Sequence, residues 1–233
     1  MLGVLGGMGP LASAQFMLRL TQLTPAMRDQ DHIPTVLWSD PRVPDRTVGR
    51  LGNSADPLPW LLRGIEGLRR AGCSAIAIPC NTAHGWYDQM QDAAQMPILH
   101  IVDAADDELR HLGIATGTIG VMGTQATLAM RLYQHRLGAR GWDTIIPDQD
   151  QMDHLVSPAI ALVKANRPAD AYAPLSAVVR SLIQRGAASV VLGCTEIPLG
   201  IQAGPTLGVP VVDTIDALAR AAIAWVKWSP SGD

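Results

Sequence analysis

The chain has 233 residues, of which 48% are hydrophobic and 17% charged, and its formal net charge is −3. A chain of this length forms one compact unit or two small lobes of about 100 residues each. Its charge provides no basic field of the kind that binds nucleic acid or an anionic membrane, so we expect a small-molecule partner.

Seven short aliphatic runs bounded by glycine and proline predict buried strands. In chain order they span residues 2–5, 35–38, 75–78, 98–101, 119–122, 190–192 and 209–212. Stretches with helical spacing lie at residues 11–23, 58–71, 125–137, 158–166 and 174–185. A longer irregular stretch, 40–57, is rich in Pro, Arg, Asp and Gly, which is typical of a functional loop. The alternation of strand and helix predicts an α/β fold with parallel sheets.

The chain repeats itself at nearly one period. The tetrapeptide GVLG at 3–6 is echoed 117 residues later by GVMG at 120–123, and AIAIPCNT at 75–82 is echoed 114 residues later by SVVLGCTE at 189–196. These echoes predict two pseudo-symmetric lobes, each a mostly parallel sheet flanked by helices. One continuous sheet is the alternative.

The predicted domain bounds follow from the repeat. Residues 1–112 form the first lobe, residues 113–212 form the second, and the last strand and helix, 213–233, return to complete the first. In open α/β sheets, ligands bind beyond the carboxyl ends of the strands. The active site is therefore expected in the cleft between the lobes, where each lobe presents one cysteine from a strand end.

Three cysteines, Cys73, Cys80 and Cys194, leave one unpaired in any disulfide scheme, which predicts reduced thiols. The apolar run at 217–228 is interrupted by an arginine and a lysine and falls short of the roughly 20 residues that a membrane span needs, so we expect a cytoplasmic protein. Cys73 follows a glycine at a predicted helix-to-strand turn, where a structural or subunit-contact role is expected.

Cys80 and Cys194 occupy equivalent positions in the two repeats. Most free cysteines are small buried hydrophobes, and that is the alternative for each of them taken alone. Inverting the α-carbon of an amino acid requires a base on one face of a planar carbanion and an acid on the other. A thiol pKa of about 8.5 can be lowered by helix amino termini and cations, so one thiolate and one thiol suit the two roles. The matched pair therefore predicts a racemase.

Four motifs give the chain a resemblance to a known family. They are LGGMGP at 5–10, PDRT at 44–47, PCNTAH at 79–84 and LGCTEIPL at 192–199. In this order they are similar to the aspartate/glutamate racemase family, in particular to its aspartate racemase branch. The resemblance implies an acidic amino acid as substrate, catalysis by Cys80 and Cys194, a two-domain α/β fold, independence from pyridoxal phosphate or any other cofactor, and a homodimer.

The resemblance also implies a set of substrate-binding residues. They are Met8, Gly9, Arg46, Asn81, Thr82, Thr124, Lys164 and Thr195. Arg46 and Lys164 are the cations for the substrate carboxylates, and we expect Arg46 to be an exposed loop residue that adds little to stability. His84 and Glu196 could orient or polarise a thiol, with capping, solvent-facing or helix-start roles as their alternatives. No metal site is expected, since the sequence shows no closed set of four ligands.

Other interpretations stay open for parts of the sequence. Residues 7–12 fit the dinucleotide motif G-x-G-x-x-A, but the acidic residue Asp40 lies 28 residues past it rather than about 20. A non-catalytic amino-acid binding protein is another alternative, as is a related isomerase or hydantoin racemase. The segment 38–40 stands where the family has a more polar strand end, and 121–127 follows the family loosely, so aspartate and glutamate are both open as substrates.

Overall fold

The computed structural model describes residues 1–52 and 55–228. The strands are β1 Leu2–Gly6, β2 Thr35–Ser39, β3 Ala75–Ala77, β4 Ile98–Leu99, β5 Thr118–Gly123, β6 Asp143–Ile145, β7 Ser189–Gly193 and β8 Val211–Asp213. The α-helices are α1 Pro10–Leu23, α2 Arg46–Arg50, α3 Leu58–Arg70, α4 Tyr87–Ala94, α5 Ile101–His111, α6 Gln125–Ala129, α7 Leu132–Gly138, α8 Gln149–Gln151, α9 Ser157–Lys164, α10 Pro168–Gln184, α11 Glu196–Gln202 and α12 Thr214–Trp228. A short 3₁₀ helix, Thr82–Trp86, precedes α4.

The strands form two parallel sheets of the same order. The first sheet runs β2-β1-β3-β4 and the second runs β6-β5-β7-β8, with every neighbouring pair parallel. Each strand of the first sheet thus has a counterpart at the same place in the second. The predicted α/β fold with two pseudo-symmetric lobes is confirmed, and the alternative of one continuous sheet is wrong.

The central strands are continuous aliphatic runs because helices cover both faces of each sheet. Every residue of β1 and β7 is buried, whereas the edge strand β2 is only partly buried. The helices that cover the sheets are amphipathic: α3 buries Leu61, Gly64, Ile65 and Leu68 and turns its charged residues to solvent. Burial of these apolar faces holds each sheet at the centre of its lobe.

Trp38 of β2 shows how the first sheet packs against α3. A Cβ on Gly64 would come within 3.1 Å of the Trp38 ring, and a Cβ on Gly67 would overlap it. Because the two glycines lie three residues apart on one face of α3, they open a slot that the indole fills. This packing accounts for a tryptophan where the resemblance predicts a more polar strand end.

Several element bounds differ from the predicted ones. The helix expected over 125–137 is two helices, α6 and α7, because Arg131 between them adopts a left-handed conformation with a φ of 53°. The helix expected over 174–185 begins earlier, at Pro168, and contains Pro174 in its interior. The strand expected over 98–101 ends at Leu99, and α5 begins two residues later.

The irregular stretch 40–57 contains a helix that the sequence did not predict. Asp45 caps α2 by accepting hydrogen bonds from the N–H groups of Thr47 and Val48, at 2.8 and 3.0 Å. Such a capping carboxylate satisfies helix N–H groups that have no partner inside the helix. Residues 53 and 54 of this stretch lie outside the described residues.

The carboxyl-terminal segment connects the two lobes. β8 pairs with β7 in the second sheet, so the last strand does not return to the first lobe as expected. The helix that follows, α12, packs on α1 and α5 of the first lobe, where Asp216 pairs with Arg19 at 2.6 Å. Residues 229–233 of the predicted returning segment lie outside the described residues. No helix within 1–52 and 55–228 is long and apolar enough to cross a bilayer.

Candidate active site

Two of the three cysteines meet at one cavity between the lobes. Cys80 lies three residues past the end of β3, and Cys194 directly follows β7, the counterpart of β3 in the second sheet. The two residues are 5% and 4% exposed. The atom-free space at this cavity is about 270 Å³, which includes space open to solvent. Its lining residues are Met8, Asp45, Arg46, Thr47, Cys80, Asn81, Thr82, Thr124, Lys164, Cys194, Thr195 and Glu196.

The cavity gathers most of the residues that the sequence suggested, and two that it did not. Gly9 lines an adjoining cleft rather than the cavity itself, and His84 lies behind the Cys80 loop. Asp45 and Thr47 belong to the PDRT motif and had no predicted role, and both line the cavity. The motif that indicated Arg46 could also have indicated these two neighbours, since α2 begins inside it.

His84 holds the backbone of the Cys80 loop. Its Nε2 accepts a hydrogen bond from the Ile101 N–H at 3.2 Å, and its Nδ1 lies 3.0 Å from the Cys80 carbonyl oxygen. Because an amide N–H can only donate, the ring hydrogen must sit on Nδ1 and be donated to that carbonyl. Burial lowers the pKa of His84 to about 4. His84 is therefore neutral near pH 7 and positions the main chain of Cys80 rather than polarising its thiol.

Glu196 lies two residues past the second cysteine and contacts its thiol directly. Cys194 Sγ donates a hydrogen bond to Glu196 Oε2 at 3.1 Å. Burial of the thiol and the negative charge of Glu196 raise the pKa of Cys194 well above its ordinary value, while the charge of Lys164 acts weakly in the opposite direction. Cys194 is therefore a protonated thiol near neutral pH.

The loop that carries Cys194 reaches across to the first lobe. The Thr195 hydroxyl donates to the Pro79 carbonyl at 3.3 Å, next to Cys80. A Cβ on Gly9 would lie 3.1 Å from Glu196 Oε1, so a glycine lets the loop after β1 approach this carboxylate closely. These contacts hold the loop of Cys194 against the loops that follow β1 and β3.

Three hydroxyl groups join the lobes on the side of Cys80. Thr82 of the first lobe lies 2.9 Å from the Thr124 hydroxyl and 3.0 Å from the Thr127 hydroxyl, and these two are 3.0 Å apart. Thr124 also caps α6 by accepting from the Thr127 N–H at 3.1 Å. The triangle fixes the loop after β5 against the loop after β3.

Arg46 is buried, contrary to the expectation of an exposed loop cation. It is 9% exposed, and its guanidinium donates hydrogen bonds to the carbonyls of Met8 at 2.8 Å, Val43 at 3.2 Å and Pro44 at 3.1 Å. The same side chain lines the cavity, and its buried Nε–H has no hydrogen-bond partner within the described part of the chain. A buried charged donor without a partner is rare in proteins, because an unpaired buried donor costs free energy.

Lys164 and Asp45 face each other across the cavity, one from each lobe. Lys164 at the end of α9 places its Nζ 3.6 Å from Asp45 Oδ2, and both side chains are about 40% exposed. Hydrogen bonds from α2 N–H groups and the nearby charges of Lys164 and Arg46 outweigh the opposing effect of burial and lower the pKa of Asp45. The Asp45 carboxylate is therefore charged at neutral pH and forms an ion pair with Lys164 between the lobes.

Cys73 lies apart from this site. Its side chain packs on Gly3, where an added Cβ would lie 3.2 Å from Cys73 Sγ. The surrounding residues between β1 and α3 are apolar. Burial raises the pKa of its thiol. In residues 1–52 and 55–228 there is also no group of three or more His, Cys, Asp or Glu side chains placed to hold a metal ion.

Comparison with known proteins agrees with this architecture. The model of the family described as Asp/Glu/Hydantoin racemase matches residues 5–222. The chain belongs to this racemase family. The broad specificity amino-acid racemase RacX of Bacillus subtilis (strain 168) is 26% identical to this racemase-family chain, over 96% of the chain and 97% of the relative.

Solved structures of racemases share the fold of this Asp/Glu/Hydantoin racemase family member. The aspartate racemase of Picrophilus torridus superposes with a TM-score of 0.84 and 31% identity, over 97% of this chain and 94% of that one. The glutamate racemase of Francisella tularensis, solved in complex with D-glutamate, has a TM-score of 0.69 and 15% identity, over 97% of this chain and 80% of that one, and shares the fold alone.

Proposed function

We propose that this member of the racemase family interconverts the L and D forms of an acidic amino acid, aspartate or glutamate, with Cys80 and Cys194 as its two acid/base groups and without a cofactor. The observation that carries the proposal is the convergence of the two thiols on one cavity. Equivalent strand ends in two sheets of the same order present them to a ligand between the lobes. Inversion at the α-carbon needs such a pair of groups, one for each face.

The two thiols differ in their surroundings, and the difference sets their resting roles. The hydrogen bond to Glu196 keeps a hydrogen on Cys194, which is then the acid. Among the described residues no carboxylate is hydrogen-bonded to the Cys80 thiol. With Cys194 as the acid, Cys80 is the other thiol at the cavity and is assigned the role of base.

In one turnover the substrate gives one proton to Cys80 and receives one from Cys194. The Cys80 thiolate removes the α-hydrogen, and the electron pair of the C–H bond stays on the α-carbon. The Cys194 thiol then gives its hydrogen to the opposite face and becomes a thiolate. The reverse reaction starts from this second form, and exchange of hydrogen with solvent interconverts the two forms between turnovers.

The cations at the cavity favour an acidic substrate. Arg46 offers its unpaired Nε–H, and leaving such a buried donor unpaired costs about 1–3 kcal/mol. Lys164 is held by Asp45 in a half-exposed pair, which contributes about 0–1 kcal/mol, so a substrate carboxylate can replace Asp45 at little cost. Two positive partners suit a molecule with two carboxylates. The aspartate racemase named above is a solved relative with such a substrate.

The proposal is tested by the origin of the new α-hydrogen. With two opposed thiols, the hydrogen in the product comes from the acid on the far face, which has equilibrated with solvent before the substrate binds. In deuterated water, D product formed early from L-aspartate or L-glutamate should carry one α-deuterium, while the remaining L substrate stays mostly unlabelled. Chiral separation followed by mass spectrometry measures both. Early product that retains a sizeable protium fraction would show a single base acting on both faces and would exclude this mechanism.

A further inference from the structure

Tyr133 of α7 lies beneath the site and touches the loops of both thiols. Its side chain is fully buried, and it is not one of the residues that line the cavity. Its hydroxyl donates a short hydrogen bond to Asn81 Oδ1, and Asn81 directly follows Cys80. The edge of its ring packs on Gly193, where a Cβ would lie 2.9 Å from Tyr133 Cε2. Gly193 directly precedes Cys194.

The donors and acceptors of the hydrogen bonds around Asn81 can be assigned by starting from the Leu192 carbonyl oxygen. Thr214 lies 2.9 Å from the Leu192 carbonyl oxygen, which can only accept, so the Thr214 hydroxyl must donate to it. The Thr214 oxygen is then the acceptor for Asn81 Nδ2 at 3.2 Å. This leaves Oδ1 of the amide facing Tyr133, which must donate. The chain of hydrogen bonds runs from the Cys80 loop to β7, the strand that Cys194 directly follows.

Each member of this chain is buried and has its main polar partners inside the protein. Asn81 is 2% exposed and Thr214 is fully buried. Burial raises the pKa of Tyr133, so its hydroxyl stays protonated and remains a donor at physiological pH. A rigid phenol that is hydrogen-bonded at one end and packed at its edge fixes the distance between the two loops it touches.

We propose that Tyr133 is a positioning residue that sets the separation of the two thiol loops, acting on Cys80 through Asn81 and on Cys194 through Gly193. The proposal rests on the two-thiol function above. Two-sided proton transfer needs both sulfurs within reach of one α-carbon, and a misplacement of about 1 Å can lower the rate about 100-fold. The hydroxyl of Tyr133 thus contributes to the rate of inversion without touching the substrate.

Tyr133→Phe is the direct test, because it keeps the ring against Gly193 and removes only the hydroxyl. We expect kcat to fall about 10- to 100-fold, with KM changed by less than about threefold. Tyr172→Phe is the matched control. Its hydroxyl also donates to a carbonyl, that of Pro205 at 2.8 Å, but this bond is at the surface and Tyr172 does not line the cavity, so the kinetics of the variant should equal those of the wild type.

A second readout separates positioning from mere loss of folded protein. When the carbanion waits for a misplaced acid, the thiol that removed the hydrogen has time to exchange with deuterated solvent and to return deuterium to the same face. The amount of deuterium-labelled substrate divided by the amount of inverted product should therefore rise in Tyr133→Phe. A smaller folded fraction lowers the rate of substrate labelling and the rate of inversion equally, so it leaves this labelling ratio unchanged.

The outcomes distinguish this proposal from the proposed function. Thr214→Val removes the hydroxyl that links Asn81 to Leu192, and it replaces Tyr133→Phe as the test if that variant does not fold. The same rise in the labelling ratio is expected. An active wild type whose variants keep its kcat and its labelling ratio would overturn the positioning role alone. A wild type that neither inverts nor labels acidic amino acids would overturn both proposals.

Discussion

Cys194 and Glu196 form a buried thiol–carboxylate pair, with Sγ donating to Oε2 at 3.1 Å and the two residues 4% and 5% exposed. Burial and the adjacent negative charge both favour the protonated thiol and raise the pKa of Cys194. The residue at the matching place after Cys80 is Thr82, which carries no charge. The two lobes are therefore symmetric in backbone and asymmetric in the electrostatics of their thiols.

Replacing Glu196 with glutamine should make the Cys194 thiolate easier to form. The substitution removes the negative charge that opposes ionisation, so the pKa of Cys194 should fall and its thiolate should appear at lower pH. The measurement is the pH dependence of alkylation by iodoacetamide in a chain that also carries Cys73→Ala and Cys80→Ala, where Cys194 is the only thiol. The alkylation profile should move to lower pH.

Glu66→Gln in the same background is the control for this experiment. Glu66 pairs with Arg69 and Arg70 on the outer face of α3, away from the cavity, and its loss should leave the profile in place. A profile in Glu196→Gln that stays in place or moves to higher pH would contradict the role assigned to Glu196.

Removing either thiol of the cavity should abolish racemisation. General acid–base groups contribute about 10²- to 10⁴-fold, so Cys80→Ala and Cys194→Ala should each lower kcat about 1,000-fold or more. Cys73→Ala is the control, since Cys73 packs between β1 and α3 outside the cavity, and it should keep kcat within about threefold of the wild type. Racemisation is measured by loss of optical activity from pure L-aspartate or L-glutamate. Substantial turnover without Cys80 or without Cys194 would remove that residue from the mechanism.

Replacing Arg46 with leucine should weaken both substrate binding and folding. Loss of a charged donor to a substrate carboxylate is worth about 1.5–3 kcal/mol, which corresponds to a KM raised about 10- to 100-fold. The carbonyls of Met8, Val43 and Pro44 also lose their donor, so the free energy of unfolding should fall by about 1–3 kcal/mol.

Arg42→Leu is the matched control for Arg46. Arg42 lies in the same loop with a side chain that is 79% exposed and pairs with Asp40, so its loss should leave KM unchanged and unfolding within about 0.5 kcal/mol of the wild type. Steady-state kinetics and urea titration measure the two quantities. An Arg46→Leu variant with the KM of the wild type would show that Arg46 only supports the loop.

The sequence predicted some strands and helices well and missed others. The buried strands β1, β5 and β7 were predicted because aliphatic runs bounded by glycine are strong local signals. β6 has three residues and the sequence DTI, which carries no such signal, and it forms because β5 provides a partner strand. The break between α6 and α7 depends on one residue, Arg131, whose left-handed conformation no helical periodicity reveals.

The sequence alone determined the class of fold and which two cysteines lie at equivalent strand ends. Strand and helix periods are local, and the repeated segments around Cys80 and Cys194 place two cysteines at equivalent strand ends whatever the packing of the lobes. Only the tertiary structure decided what surrounds each thiol. Glu196 beside Cys194, His84 turned to the Cys80 carbonyl, and Arg46 buried against three carbonyls depend on side-chain directions and on burial. Their burial comes from packing between segments far apart in the chain, because desolvation exists only in the folded molecule.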